Sequence, residues 1–564
     1  MRNFHYRFTT GIILSAALLT CSWGTLVAAQ RESAEITTPP PPVARLGVLI
    51  VIDQMRPDYL TRFSSEYTGG LARLMREGLV FTNAYHDHAA TETAVGHATI
   101  STGRYPSHHG FVGNNWYDRE LGRDTYACAD SAAHILGEPS AAGRSPKLLL
   151  TDALGDWLKA EHPGAKVYSV SSKDRAAVAM GGQKPDGAFW YSTTTGRYST
   201  SSYYSAALPA WLDSFNTSQQ IDSYYKIGWQ KLLPDSSYSL SHKDDFPSEA
   251  DGIHTTFPHL FDTTKPAPDK NYFRALLSTP FADEVTLSLA TMIVRETNLG
   301  KDTIPDLLCI SCSAADSIGH AYGPNSQEVQ DYYLRLDRYL DTFFVFLDSA
   351  VGKGQYCIAL SSDHGVLPLP EDLVAQGVAA LRLNVDTVSA NIHAIGRQMM
   401  SELHLSSDPV ADASYDVRLN YDESRRAGIS DQDFQQMAAV RIRKLPYIAD
   451  ALTRDELQSG SGEGRPLFEL YRNSFHPLRG PDIYLRFAQY TLVRKSKFGT
   501  AHGTPYPYDT DVPIVFVSKI TVAGRNDERV KTVDVAPTLA RLLGVIPPKD
   551  IDGQPLAKVL GSAQ

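Results

Sequence analysis

Residues 46–53 read LGVLIVID, an almost unbroken apolar run that stops on an aspartate. Such a run, without polar alternation, is how a strand buried on both faces reads, and both-face burial is the mark of a parallel sheet. Four further β-branched runs share the pattern: KVYSVSS (166–172), DLLCISC (306–312), QYCIALSSD (355–363) and VPIVFVS (512–518). Helical spacing fills the intervals. Leu150, Leu154, Trp157 and Leu158 fall on one helix face, and Val329, Leu336, Leu340, Phe343 and Leu347 line a long helix near 326–350. TVDVAPTLARLLG (532–544) predicts a helix starting at Thr532 and closing on Gly544. Strands alternating with helices predict an α/β fold around a mostly parallel sheet.

At 564 residues the chain can build one large domain with insertions. Its net charge of −10, with no Lys/Arg cluster, argues against a nucleic-acid partner. Arg2 and Arg7 precede the apolar run 11–19, and Val27-Ala28-Ala29 offers a cleavage site. Residues 1–29 are therefore expected to be a signal peptide, making the protein periplasmic or secreted; lipid anchoring at Cys21 is the alternative. A Pro-rich linker (30–44) follows, then a body spanning 45–564 with insertions near 187–262 and 370–480. No later stretch is apolar enough to span a membrane. Cys309, Cys312 and Cys357 lie in apolar runs and read as buried thiols. Asn216-Thr217-Ser218 forms a glycosylation sequon.

Acids gather where strands end: Asp53 closes LGVLIVID, Asp316 follows DLLCISC, and Asp363 closes QYCIALSSD with His364 beside it. In open α/β sheets ligands bind outside the carboxyl ends of strands, so these acids should converge, and converging carboxylates call for a cation. Asp316 and His320 stand at i and i+4, one helix face, and His502 in FGTAHGT adds a further nitrogen. Six oxygen and nitrogen donors suit two ions with open positions, and three histidines suit zinc better than magnesium.

The order of motifs is specific. Asp53 is followed by T-x-T-x-x-x-H-x-T-I-x-T-G-x-Y-P-x-x-H-G from Thr91, D-x-x-G-H-x-x-G-P from Asp316, S-D-H-G from Ser362 and H-G-T from His502. This pattern resembles the alkaline phosphatase superfamily in its threonine-nucleophile branch, shared with nucleotide pyrophosphatase/phosphodiesterases. The resemblance implies a three-layer fold, two Zn²⁺, and Thr93 as nucleophile and metal neighbour. It assigns Asp53, Asp363 and His364 to one ion, and Asp316, His320 and His502 to the other. Thr91 reads as the N-cap of the helix that Thr93 opens.

Family membership leaves the ester open. Asn114, in GFVGNNWYD, matches an asparagine that holds a phosphate oxygen in relatives, with Asn115 as local rival. Lys173 and Arg175 follow KVYSVSS, and in an extended segment residues i and i+2 face the same way, so both could reach one anion. The pair resembles the K-x-R of phosphate-irrepressible alkaline phosphatases, where it contacts the oxygens of a monoester. A monoester carries one more charged oxygen than a diester, so cations aimed there favour monoesters. The expectation is a monomeric phosphomonoesterase acting on small phosphorylated substrates through a phospho-threonine; a phosphodiesterase using the same metals and threonine is the alternative.

Overall fold

The computed structural model describes residues 39–218, 220–250 and 254–561. The expected signal peptide and the first part of the linker lie outside these described residues. Residues 43 and 44 already pack on the body: Val43 N–H donates to the Leu542 carbonyl at 2.8 Å, and Ala44 is buried.

The main sheet takes its strands from the runs anticipated above and a few more. They are β1 (Leu46–Ile52), β2 (Leu79–Tyr85), β3 (Val167–Ser171), β4 (Gly187–Ser192), β5 (Arg197–Ser199), β6 (Asp306–Cys312), β7 (Tyr356–Ser361), β8 (Ile514–Val517) and β9 (Gly524–Lys531). Their spatial order is β9-β2-β8-β7-β1-β6-β3-β4-β5. β1 lies at the centre, parallel to β6 and β7, with Ile52 opposite Cys312 and Val51 opposite Ser361. The register brings the carboxyl ends of these three strands level, so the residues after them share one crevice. β8 differs from its neighbours by running antiparallel to both β7 and β2. Buried apolar sequence alone does not encode strand direction.

β1 is buried at every position and shows why no alternation appeared. Leu46, Val48, Ile50 and Ile52 enter one apolar core with helices α4 (Phe281–Thr297) and α6 (Gln327–Leu347). Leu49 and Val51 enter a second core with α2 (Leu154–Glu161) and α7 (Val535–Leu542). The result is a helix–sheet–helix sandwich, the three-layer architecture expected. Two helix boundaries differ from expectation. Leu150 is 51% exposed and precedes α2, whose first turn is closed by Asp156 accepting from Ala153 N–H at 2.8 Å. Residues 532–534 form a 3₁₀ turn before α7 begins.

The region expected to diverge from 187 onward starts as β4 and β5 of the main sheet and only then leaves it. Tyr198, Trp229, Tyr238 and Tyr272 return to the core beside α4 and α6, and Trp229 Nε1 donates to buried Asp331 at 2.6 Å. The sequon asparagine, Asn216, clamps Tyr198 by exchanging hydrogen bonds with its main chain at 2.8 and 2.9 Å. The later stretch builds a lobe with its own core. Strands 410–413, 416–419, 483–487 and 448–453 form a four-stranded antiparallel sheet, covered by helices 385–402 and 431–442 through Val388, Phe434, Ile442 and Ile483. Cys128, Cys309, Cys312 and Cys357 are buried free thiols.

Candidate active site

Three helices aim their first turns at the crevice: α1 (Thr93–Thr102), α3 (Asp174–Gly181) and α5 (Ala314–Tyr322). Thr93 is the first residue of α1 and almost fully buried. The helix can sit this deep because of Gly96, where a Cβ would lie 2.1 Å from the Asp363 carbonyl oxygen. Thr91 is not its cap, contrary to expectation. Glu92 occupies that position, while the Thr91 hydroxyl donates to the Thr504 carbonyl at 3.0 Å. Asn114 Oδ1 accepts from Ala94 N–H at 2.9 Å, and Asn114 N–H donates to Glu92 Oε2 at 2.7 Å. With its oxygen so engaged, Asn114 presents its NH₂ as the remaining donor. Its rival Asn115 is exposed and opens a hairpin strand.

Lys173 and Arg175 do come to the site, but not on an extended segment. Lys173 is the N-cap residue of α3 and Arg175 lies in its first turn. The β3–α3 turn gives the two cations different partners. Lys173 Nζ bridges Asp53 Oδ2 and Asp316 Oδ2, at 2.6 Å from each. Arg175 Nη2 lies 3.4 Å from Thr93 Oγ1. Its neighbour Asp174 is already paired with Arg144 and with the Tyr126 hydroxyl, each at 2.5 Å. The positive ends of α1 and α3 add to the attraction for an anion.

The six sequence-predicted ligands converge in two overlapping groups. Asp53, Asp363 and His364 form one; Asp316, His364 and His502 form another, so His364 lies within reach of both clusters. His320 joins the second, its Nε2 3.1 Å from Asp316 Oδ1 and 3.2 Å from His502 Nε2. Hydrogen bonding assigns the tautomers. Nδ1 of His320, His502 and His364 faces the carbonyls of Thr500, Thr91 and Gly365, at 2.8, 2.6 and 3.0 Å. Carbonyls only accept, so each neutral ring carries its proton on Nδ1 and turns an Nε2 lone pair inward. Two such lone pairs 3.2 Å apart, facing a carboxylate oxygen, repel unless a cation lies among them. In the first cluster, Asp53 Oδ1 and His364 Nε2 are buried without a hydrogen-bond partner, and buried Asp363 Oδ2 beside them faces His97 Nδ1 at 3.2 Å. His364 Nε2 lies 3.5 Å from that Asp53 oxygen and 3.4 Å from that Asp363 oxygen. Buried polar atoms left this way are costly, and this donor set fits a cation with nitrogen and oxygen ligands.

In the first cluster the electrostatics agree. Burial, and then the neighbouring Asp363 carboxylate, push the Asp53 carboxyl well above its ordinary range despite Lys173. Burial likewise holds His364 well below the usual imidazole range, keeping it neutral and available as a ligand.

Several supporting residues were not singled out from the sequence. His97 Nδ1 reaches the Thr93 carbonyl at 2.8 Å and Asp363 Oδ2 at 3.2 Å, while its Nε2 meets Ser311 Oγ at 2.9 Å. Asp283 of α4 accepts the Ser313 and Ala314 N–H groups at 2.9 Å each, closing the start of α5 on which Asp316 and His320 sit. His97 lay inside the threonine motif and had a signal; Asp283 had none, because its partners are 30 residues or more away.

Residues 47–473 match the model of the type I phosphodiesterase/nucleotide pyrophosphatase family. Across nearly full length the chain is 33% identical to alkaline phosphatase PafA of Elizabethkingia meningoseptica, covering 95% of this chain and 98% of that one. It is also 33% identical to alkaline phosphatase PhoV of Synechococcus elongatus, covering 97% and 99%. The crystal structure of PafA superposes with a TM-score of 0.85 at 32% identity, over 93% of this chain and 99% of that one. With its alkaline-phosphatase-like fold, this chain belongs to the type I phosphodiesterase/nucleotide pyrophosphatase family.

Proposed function

We propose that the chain is an alkaline phosphatase that hydrolyses phosphate monoesters to an alcohol and inorganic phosphate. The observation that carries this reading is Arg175 Nη2, 3.4 Å from the hydroxyl of Thr93, near enough for its charge to meet the extra oxygen of a monoester that Thr93 attacks. Two full-length relatives named alkaline phosphatases support it against the diesterase alternative.

Thr93 Oγ1 attacks phosphorus in line with the ester oxygen, forming a threonine phosphate as the alcohol departs. Water then cleaves the new phosphorus–oxygen bond from the opposite side, freeing phosphate and restoring Thr93. Arg175 and the Asn114 NH₂ hold nonbridging oxygens, and Lys173 balances the carboxylates. Zinc fits the two clusters, Asp53, Asp363 and His364 with Asp316, His320 and His502, and when bound supplies the positive charge that acidifies hydroxyls and steadies the leaving oxygen. Most of the rate comes from positioning and charge compensation.

Residues 45–564 act as the catalytic body, and residues 1–29 as an export signal delivering it to the periplasm or beyond. Among the described residues no helix is long and apolar enough to cross a membrane. The test is the ratio of kcat/KM for an aryl phosphate monoester to that for the matching methyl aryl diester, with zinc supplied. A large ratio supports the phosphatase; a ratio below one assigns the chain to the diesterases.

A further inference from the structure

Gln54 follows Asp53 at the end of β1, with its backbone at φ +63° in the left-handed region. Side chains other than Asn and Asp rarely adopt this conformation, and glycine takes it without strain. The kink turns two consecutive N–H groups onto the loop after β7. Gln54 N–H donates to Asp363 Oδ1 at 3.0 Å and Met55 N–H donates to Ser362 Oγ at 2.8 Å. Glycine could do as much.

The side chain does something glycine could not. It is buried at 2% exposure, and Nε2 donates to Asp316 Oδ1 at 2.6 Å. This is the oxygen on which His320 Nε2, at 3.1 Å, and His502 Nε2, at 3.4 Å, converge. Its amide oxygen presses on α5 at Gly319, where a Cβ would come within 1.9 Å. The strained glutamine thus grips one acid of each cluster, Asp363 through its main chain and Asp316 through its side chain.

We infer that Gln54 is a positioning residue that locks the two ligand clusters together and sets the orientation of Asp316 toward its cation. The inference rests on the reading of these clusters as zinc sites. Outer residues that orient a ligand typically contribute about 10- to 100-fold to metal affinity.

The test uses full-length protein stripped with a chelator, then titrated with zinc against a chromophoric competitor, with unfolding temperature followed in parallel. Gln54→Gly removes the amide and relieves the backbone; Gln54→Asn tolerates the conformation but is one methylene too short to reach Asp316. Both variants are expected to lose about 10- to 100-fold in affinity at one of two zinc sites, with Gln54→Gly unfolding no lower than wild type when metal-free. Wild-type affinity at both sites in either variant overturns the role of Gln54 alone. Wild-type chain that binds no zinc overturns the zinc reading and this inference with it.

Discussion

Arg175 Nη2 and Thr93 Oγ1 lie 3.4 Å apart at the facing ends of two helices, although 82 residues separate them in the chain. The guanidinium is held beside the hydroxyl, where its charge can meet an incoming phosphate. Preorganised charge of this kind is worth most where water is excluded, as it is beside nearly buried Thr93.

Removing that charge should separate the two ester classes. Arg175→Ala is expected to lower kcat/KM for an aryl monoester by about 10²- to 10³-fold while changing the diester rate far less. Equal losses on both esters would mean that Arg175 supports the fold around Thr93 rather than the extra oxygen. Lys173→Ala leaves Asp53 and Asp316 facing each other, and should destabilise metal-free protein by about 3–5 kcal/mol, with a smaller loss once zinc is bound. Denaturant titrations with and without zinc measure that difference.

Thr93→Ala should reduce monoester turnover by ~10⁴-fold or more while zinc content stays at the wild-type level, because the six candidate carboxylate and imidazole ligands are untouched. Turnover near wild type in that variant removes the threonine phosphate from the mechanism. Conversely, chelation should abolish activity and lower the unfolding temperature; ligand at 100 times its dissociation constant stabilises by about 2.7 kcal/mol. Calorimetry before and after zinc addition reads this directly.

Glu92 staples the Asn114 loop to the start of α1 through the Asn114 N–H, at 2.7 Å. Glu92→Ala should cost about 10- to 100-fold in kcat/KM by displacing the Asn114 donors, and Glu92→Gln, which keeps an acceptor, should restore most of it. A faster Glu92→Ala enzyme would show instead that the carboxylate opposes the incoming phosphate.

Gly96 permits α1 to touch the main chain of residue 363. Gly96→Ala forces a Cβ to within 2.1 Å of the Asp363 carbonyl oxygen, and overpacking of this kind costs about 1–3 kcal/mol or more. The expected result is a lower unfolding temperature together with weaker zinc binding, since Asp363 moves with the helix. Unchanged zinc affinity would show that the helix, not the ligand, gives way.

Glu249 offers a pH test away from the site. Burial, reinforced by Glu328, Asp244 and Asp372, raises its pKa from an ordinary 4.5 to about 10. The folded chain keeps a proton that the unfolded chain releases, so this contribution is whole below pH 4.5 and declines as pH rises toward 10. The amide of Glu249→Gln has no proton to lose. Its gain in unfolding temperature over wild type should therefore grow from about pH 5 to about pH 9. A constant gain would mean that Glu249 is ionised in both states.

Much of this protein was legible in its residues. Continuous apolar runs such as 46–52 and 306–312 can be satisfied only by burial on both faces, so the central strands and the α/β class follow from composition and length alone. An acid after such a strand sits where backbone pairing stops and ligands bind, which is why Asp53 and Asp363 stood out, and helical periodicity did the same for Asp316 and His320. These signals are local: each is contained within a few residues. What depends on register and packing was not. Lys173 and Arg175 belong to a helix start that gives them different partners, the carboxylates and Thr93, because the β3–α3 turn and not strand alternation orients them. Thr91 yields the cap position to Glu92 because the 502–504 loop folds back and takes its hydroxyl. The strain at Gln54 and the placing of His364 within reach of two clusters exist only once β1, β7 and α5 meet, since their partners lie hundreds of residues away. Residue type and spacing determine which chemistry the chain carries; the long-range contacts of the folded sheet decide which atom each side chain faces.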